Sequence, residues 1–559
     1  MIPGEPRPRH GIFILLRRLR QPLIVLILVY AVAVFGFTVV PGTDPTSQPW
    51  TMSFLHAFYF VSFLGTTIGL GEIPYPFSDA QRLWATASIY GAVVAWLYAI
   101  GALFAVIQDP LFRRVLREDA VERSVRRMRE PFYLLCGYDD TGHRVAHELD
   151  HVGARMVVVD HEQARVDLVD VNELSSAVPA LAGDATDPKL LLLAGLCHPR
   201  CAGVLALTGS DQVNTKIALT ARMLNPEVPV LCAAKDHAWH PRMAAAGADQ
   251  IINPFDTFAE RVALSIRTPS MHVIYEALTT RKGTVMDETP RLPEGRWILC
   301  GSDPFIRPLR RQLSLLGIDA TVVKPADHVS PSESHVVRGD PTDPAVLRAA
   351  DIESAAVLVA GTDVDIENLT ITLAARSLNK RIAIVARQTQ RRNSPVFRAS
   401  PADLVTLSGH VVAAEVLRHI RAPLLSLFLR KSRDEPEAWA AALLQRLRAL
   451  IGGEVLESWS VHVVPGEAPT VCAALRSGEA VTLSRLMTRT NGTGDALQAV
   501  PLLIQRARTT QLLPPGDVMV QADDKVLFCG TERARSIMRH TVEAHALAPQ
   551  APTPRSQAA

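Results

Sequence analysis

Two runs of this chain carry no charge, Pro22 to Val40 and Leu83 to Gln108. About 20 apolar residues cross the hydrocarbon core of a bilayer as a helix, and only structures that satisfy their own backbone survive there. Each run is therefore expected to be a transmembrane helix. Arg17, Arg18 and Arg20 precede the first run, Arg113, Arg114 and Arg117 follow the second, and few basic residues lie between them. By the positive-inside rule both flanks are cytoplasmic, which two spans satisfy and three do not. A signal peptide is the other reading of the first run. Its apolar part is too long for that, and an equally long second run follows.

The full length of 559 residues is enough for roughly three or four domains, and the rest of the chain reads as globular and cytosolic. Lys plus Arg is 58 and Asp plus Glu is 56, for a net charge of +2. That balance, with basic residues scattered and not interleaved with aromatics, argues against a nucleic-acid partner. Seven cysteines, an odd number over a long chain, do not make a disulfide framework.

Between the two runs lies a third uncharged stretch, Thr51 to Gly71. A short apolar helix is followed by Thr66, Thr67, Ile68, Gly69, Leu70, Gly71 and then Glu72. It is too short and too Gly-rich at its end to span. Non-helical backbone at membrane depth lines a cavity, so a half-helix returning as a Gly-rich segment is what an ion pathway needs. The motif resembles the selectivity filter of potassium channels, usually T-V-G-Y-G-D. The resemblance implies that four chains ring a dehydrated K+ with carbonyls of residues 66–71 and the Thr67 hydroxyl. Gly69 and Gly71 supply the alternating backbone twist that this requires. Leu70 stands where the family has Tyr and Glu72 where it has Asp. Leu removes a hydroxyl that would tie the filter to its surroundings, and Phe60 and Phe63 offer packing but no donor.

After Pro110 the composition turns charged, and residues 111–131 read as a helical linker. An apolar strand from Phe132 then runs into Gly137, Asp139, Thr141 and Gly142, followed by a helix and a strand ending in Asp160. This is a Rossmann unit: Gly137 and Gly142 take the first and third glycine places, Asp139 replaces the middle one, and Asp160 stands where a ribose ligand is expected. The unit recurs. Leu134 to Gly137 returns as Ile298 to Gly301, Gly183-Asp184 as Gly339-Asp340, and Asn214 as Asn368. In the second copy Ile306 replaces the third glycine and Lys324 ends the second strand, so no phosphate cradle is expected there.

Both copies resemble RCK domains, the regulators of potassium conductance also called Trk-type N-domains, over residues 132–266 and 296–420. The expected architecture is a two-span α-helical membrane pore followed by two α/β, Rossmann-like RCK domains with parallel sheets and a small α+β C-terminal lobe. Its parts are a pore domain at 1–110 (first span about 22–40, pore helix and filter 51–72, second span 83–108) and the linker at 111–131. The first RCK domain covers 132–290, the second 296–420, the lobe 421–545 and a disordered tail 546–559. The resemblance implies a ligand-gated potassium channel and not an enzyme: a homotetramer in membrane lipid, with eight RCK domains in a cytoplasmic ring responding to a small-molecule ligand. K+ is the permeant ion, and NAD(H) or an adenine nucleotide is the expected ligand of the first copy, at Gly137, Asp139, Thr141, Gly142, Asp160 and Asp184. Gly91 or Gly101 would bend the inner helix. The location is the cell (inner) membrane, multi-pass, with both termini cytoplasmic.

Other chemistry is thinner. Cys197 and Cys201 with Cys232, His237 and His240 lack a standard zinc spacing, and the cysteines border core strands. Asp184, Asp187, Asp211 and Glu260 are the oxygen ligands available to calcium. The Asn491 to Thr493 sequon lies on the cytoplasmic side. The alternatives to the channel are a membrane-anchored NAD-dependent oxidoreductase, which leaves Thr67 to Gly71 unexplained, and a poorly selective cation channel.

Overall fold

In the computed structural model of the chain, residues 10–44, 48–69, 71–171, 174–279, 292–301, 303–325, 335–451, 456–489 and 495–543 are described. Leu70, the Asn491 to Thr493 sequon and the 546–559 tail lie outside the described residues. The chain divides into two compact units, residues 1–127 and 128–559.

The first unit is helical. α1 (His10–Val39) packs on α3 (Asp79–Gln108), and the short α2 (Phe54–Gly65) contacts both. A two-stranded antiparallel ribbon, β1 (Gly42–Thr43) and β2 (Pro49–Trp50), lies between α1 and α2 in sequence, and α4 (Pro110–Arg126) follows α3. α1 and α3 are long and apolar enough to cross a membrane. α3 begins at a capping box, in which Ser78 accepts the Gln81 N–H and the Gln81 side chain accepts the Ser78 N–H. Phe37, Phe60, Phe63 and Phe77 form an edge-on aromatic cluster that seats α2 against α1. Trp96 and Trp84 donate to the Tyr30 hydroxyl and the Ala33 carbonyl, tying α3 to α1.

In the second unit, β3 (Phe132–Cys136), α5 (Asp140–His151), β4 (Arg155–Asp160), α6 (Gln163–Val171) and β5 (Ala180–Ala182) come first. They lead through α7 (Pro188–Leu193), β6 (Cys201–Ala206), α8 (Asp211–Leu224), β7 (Val230–Ala233), α9 (His240–Ala245) and β8 (Gln250–Ile252) to α10 (Pro254–Arg267) and α11 (Pro269–Thr279). The sheet is parallel, in the order β5-β4-β3-β6-β7-β8. The second copy repeats it: β9 (Trp297–Gly301), α12 (Asp303–Leu315), β10 (Ala320–Lys324), β11 (Val336–Arg338), α13 (Pro344–Ala349) and β12 (Val357–Gly361). Then come α14 (Asp365–Leu378), β13 (Ala383–Gln388), α15 (Ser394–Ala399), β14 (Leu404–Leu407), α16 (Ser408–Arg421) and α17 (Pro423–Lys431). Its parallel order, β11-β10-β9-β12-β13-β14, matches strand for strand. Strands buried on both faces read as continuous apolar runs, as in Leu134-Leu135-Cys136 and Ile298-Leu299-Cys300. The lobe comprises α18 (Glu437–Ile451), β15 (Glu457–His462), α19 (Pro469–Arg476), α20 (Leu483–Leu486), β16 (Ala499–Arg506), β17 (Thr509–Leu512), β18 (Lys525–Gly530) and α21 (Glu532–Glu543). Its sheet is antiparallel, β15-β18-β16-β17.

The hydrophobic cores cross the sequence boundaries. The core on the first sheet takes in Val412, Ala413 and Val416 of α16, which follows the second sheet. The core on the second sheet takes in Phe255, Phe258 and Val262 of α10, which follows the first. Each large apolar side chain so buried contributes ~1.5–3 kcal/mol, and the two copies thereby hold each other. Met271, Ile274 and Tyr275 of α11 join α17, α18 and the lobe strands in a third core.

Candidate functional site

The Thr66 to Gly71 segment, expected from the sequence to be a filter, starts where α2 ends. Thr66 Oγ1 donates to the Ser62 carbonyl at 3.0 Å, and the Thr67 and Ile68 N–H groups donate to Leu64 and Phe63, using up the last helical carbonyls. The backbone is then left-handed at every second residue: φ is +61° at Thr67, +66° at Gly69 and +89° at Gly71. In a regular strand successive carbonyls point to opposite sides; alternating handedness turns them to one side. For the β-branched Thr67 this is a genuine outlier, and such strain concentrates at functional positions. Beyond the segment, Glu72 accepts the Phe77 N–H at 2.8 Å and pairs with Arg82 at 2.9 Å, fixing the returning loop to the start of α3. Sequence reasoning missed this pair; the acid after the last glycine and the arginine ten residues on were its only signal. α3 runs unbroken through Gly91 and Gly101. A Cβ at Gly91 would meet Val29 at 3.4 Å, and one at Gly101 would meet nothing within 4 Å.

At the first Rossmann turn every sequence-singled residue has a local structural job. Gly137 has φ +101°, and a Cβ there would lie 2.8 Å from the Thr208 nitrogen; one at Gly142 would lie 1.9 Å from the Gly137 carbonyl oxygen. Asp139 caps α5, its carboxylate accepting the Thr141 N–H at 2.9 Å and the Gly142 N–H at 3.1 Å. Those are donors that a phosphate at this helix N-terminus would use. Asp160 is 2% exposed and accepts the Tyr138 N–H at 2.6 Å and the Glu162 N–H at 2.9 Å, with His161 and Arg165 beside it. Asp184 accepts the Thr186 N–H, which holds its carboxyl below the usual carboxylate range. In the second copy buried Lys324 takes the place of Asp160.

The repeated asparagines clamp neighbouring strand ends. Asn214 accepts the Thr208 N–H and donates to the Thr208 and Ala233 carbonyls. Asn368 does the same with Thr362 and with the Arg387 carbonyl.

A cavity of 2040 Å³ lies between the two sheets' loop ends and is lined by both copies. Gly409 at the start of α16 sits over the start of α5, where its Cβ would be 3.4 Å from Thr141 Cα. His143 and Arg144 from the first copy and Arg391, Arg392 and His410 from the second line it. Burial, then the neighbouring Arg391 and Arg144 guanidinium charges, hold His143 and His410 below the ordinary 6.5. The N-terminus of α16 and these arginines make this part of the cleft electropositive, facing the Asp139 and Asp140 carboxylates at α5. Its second-copy residues carry no motif, so nothing in the sequence marked them.

Neither candidate metal set named from the sequence gathers as a cluster among the described residues. Asp184, Asp187 and Asp211 spend their carboxylates on backbone N–H groups, and Glu260 pairs with Arg433. Among the described residues these four do not gather, and no calcium site forms from them. Cys232 is buried in β7 with its thiol pushed up to about 12 by burial. His237 and His240 meet Asp256, not the cysteines.

The family described as TrkA-N domain matches residues 133–254 and again 298–408, one match on each parallel sheet. Each parallel sheet is thus similar to a TrkA-N domain. The chain is 27% identical across 302 residues to an uncharacterized protein of Methanothermus fervidus, covering 53% of this chain and 44% of that protein. It is 23% identical across 238 residues to Potassium channel protein 1 of Methanocaldococcus jannaschii, 42% of this chain and 69% of that one. Voltage-gated potassium channel Kch of Escherichia coli is 23% identical across 208 residues, 37% and 48% of the two lengths. The matched stretches thus span about half to two thirds of these relatives. The solved GsuK channel bound to NAD aligns at 17% identity over 96% of this chain and 100% of its own, with TM-score 0.44. Both of these named relatives are described as potassium channels.

Proposed function

We propose that this chain is the subunit of a ligand-gated potassium channel. Four copies surround one axis, residues 66–71 line the path of a dehydrated K+, and eight TrkA-N domains form a cytoplasmic ring. The carrying observation is the left-handed backbone at Thr67, Gly69 and Gly71 directly after α2, between two helices able to cross a membrane. One such segment cannot encircle an ion, which is the reason for four chains. Exposed Phe54, Leu55, Leu83, Tyr90 and Leu97 need lipid or neighbouring subunits to cover them. The chain sits in the inner membrane with both termini cytoplasmic.

The regulatory ligand is an adenine nucleotide or NAD(H) held by the first copy. Its phosphates lie in the electropositive cleft near Arg144, Arg391 and Arg392, because Asp139 fills the first turn of α5. A ligand that binds one arrangement of the copies more tightly than another shifts the open population. The shift would reach the inner helix through α4, with Gly91 or Gly101 as the bend. Potassium flux into liposomes reconstituted with Gly69→Ala tests the pore: the variant should assemble as a tetramer and lose flux, since a Cβ at φ +66° swings the carbonyls off the axis. Flux equal to wild type sinks the reading of residues 51–72.

A further inference from the structure

The parallel order β7-β8 brings the turn leaving β7 and the helix leaving β8 to the same edge of the first sheet. His237 and His240 lie on that turn, and Asp256 in the first turn of α10. His237 Nδ1 is 2.9 Å from Asp256 Oδ2, His240 Nε2 is 3.9 Å from the same oxygen, and the three ligand atoms lie within 4.8 Å of one another. The imidazole rings are 4.5 Å apart. His240 Nε2 is buried and has no hydrogen-bond partner among the described residues. A buried polar nitrogen left without one carries a desolvation cost of about 1–3 kcal/mol, and native proteins rarely leave such atoms unexplained.

The backbone under these side chains is held. Asp236 accepts the Ala238 N–H, Asp211 accepts the Lys235 and Asp236 N–H groups, and Asn253 accepts those of Phe255 and Asp256. Supporting bonds of this kind keep a ligand set in place before its ion arrives.

We propose that His237, His240 and Asp256 form a site for a divalent transition cation of the zinc type, with water completing the coordination. Two imidazole nitrogens and one carboxylate suit Zn2+, Co2+ or Ni2+ and do not suit Ca2+, which takes 6–8 oxygens. Ligand atoms held ~2.0–2.2 Å from a tetrahedral ion stand roughly 3.3 Å apart, within the range of separations here. His237 is 62% exposed, which leaves a route of entry. Because α10 is anchored in the core of the second copy, an ion here would link the edge of one sheet to the helix that enters the other. His237, His240 and Asp256 are not among the residues that line the cleft, and the site does not depend on the channel reading.

The test uses the full chain in detergent, stripped with chelator and titrated with Co2+ and then Zn2+. Wild type should take up one cobalt per chain with the strong visible absorption of a low-coordinate ion, and zinc should displace it. His237→Gln with His240→Gln should lose that absorption and at least about 100-fold in affinity, and Asp256→Asn should weaken binding by about 10-fold or more. A wild-type titration that yields only the faint spectrum of six-coordinate cobalt overturns the proposal without any variant. So does a folded double-histidine variant that binds as wild type does.

Discussion

The Arg391 backbone N–H donates to the Asp140 carboxylate at 2.9 Å, joining the loop after β13 of the second copy to the first turn of α5 in the first. The bond closes one wall of the cleft. Asp140→Ala should leave the fold intact, since the contact is exposed and contributes under about 1 kcal/mol. It should speed amide exchange at residues 391–393 relative to the flanking strand. Unchanged exchange there would mean that the copies are held by the swapped helices alone.

Asp139 stands between the helix N-terminus and any phosphate. Asp139→Ala removes a cap and should cost ~1 kcal/mol of stability. It should also free the Thr141 and Gly142 N–H groups and remove a negative charge, so ADP binding measured calorimetrically should tighten. Weaker binding would show that Asp139 itself holds the ligand.

Asn214 and Asn368, each fully buried, make the same bonds in the two copies. Either one changed to Ala removes the partner of a buried N–H and of a strand-end carbonyl, at about 1–3 kcal/mol for each group left unsatisfied. Thermal melts should fall by several degrees, to a similar extent in the two variants. A change within error at either position would mean that water replaces the clamp.

Four histidines, 143, 240, 272 and 410, are held below 6.5, in each case chiefly by burial. Between the folded values and 6.5 the unfolded chain binds protons that the folded chain does not. Stability from these groups is therefore level above pH 6.5 and declines as pH falls below it. The melting temperature should show that break, and His410→Gln should make the acid limb shallower. A flat profile from pH 7.5 to 5.5 would contradict it.

Leu70→Tyr restores the hydroxyl found at this place in the filters that the motif resembles. Ion-gradient flux assays should show potassium preferred more strongly over sodium, with the nucleotide response unchanged. If selectivity stays as it was, the missing hydroxyl is not what sets it.

Much of this molecule is readable along the chain. Two long apolar helices, a short apolar helix and a Gly-rich return are local patterns of charge and length. The Rossmann turns are equally local, because Gly137 and Gly301 are required by backbone that passes within van der Waals contact. The repeat could be seen because Asn214 and Asn368 make short-range bonds at fixed spacing. What tertiary structure decided is which faces meet. An amphipathic helix states that it will be buried but not against which sheet, so nothing in the sequences of α10 and α16 revealed that each covers the other copy's sheet. The same holds for the carboxylates. Asp139 and Asp160 have the spacing of ligand residues, and only the folded turn shows their oxygens committed to the Thr141, Gly142, Tyr138 and Glu162 N–H groups. His237 and His240 find Asp256 across a strand and a helix because parallel strand order sets the meeting place, and strand order is a property of the whole core, not of any one segment.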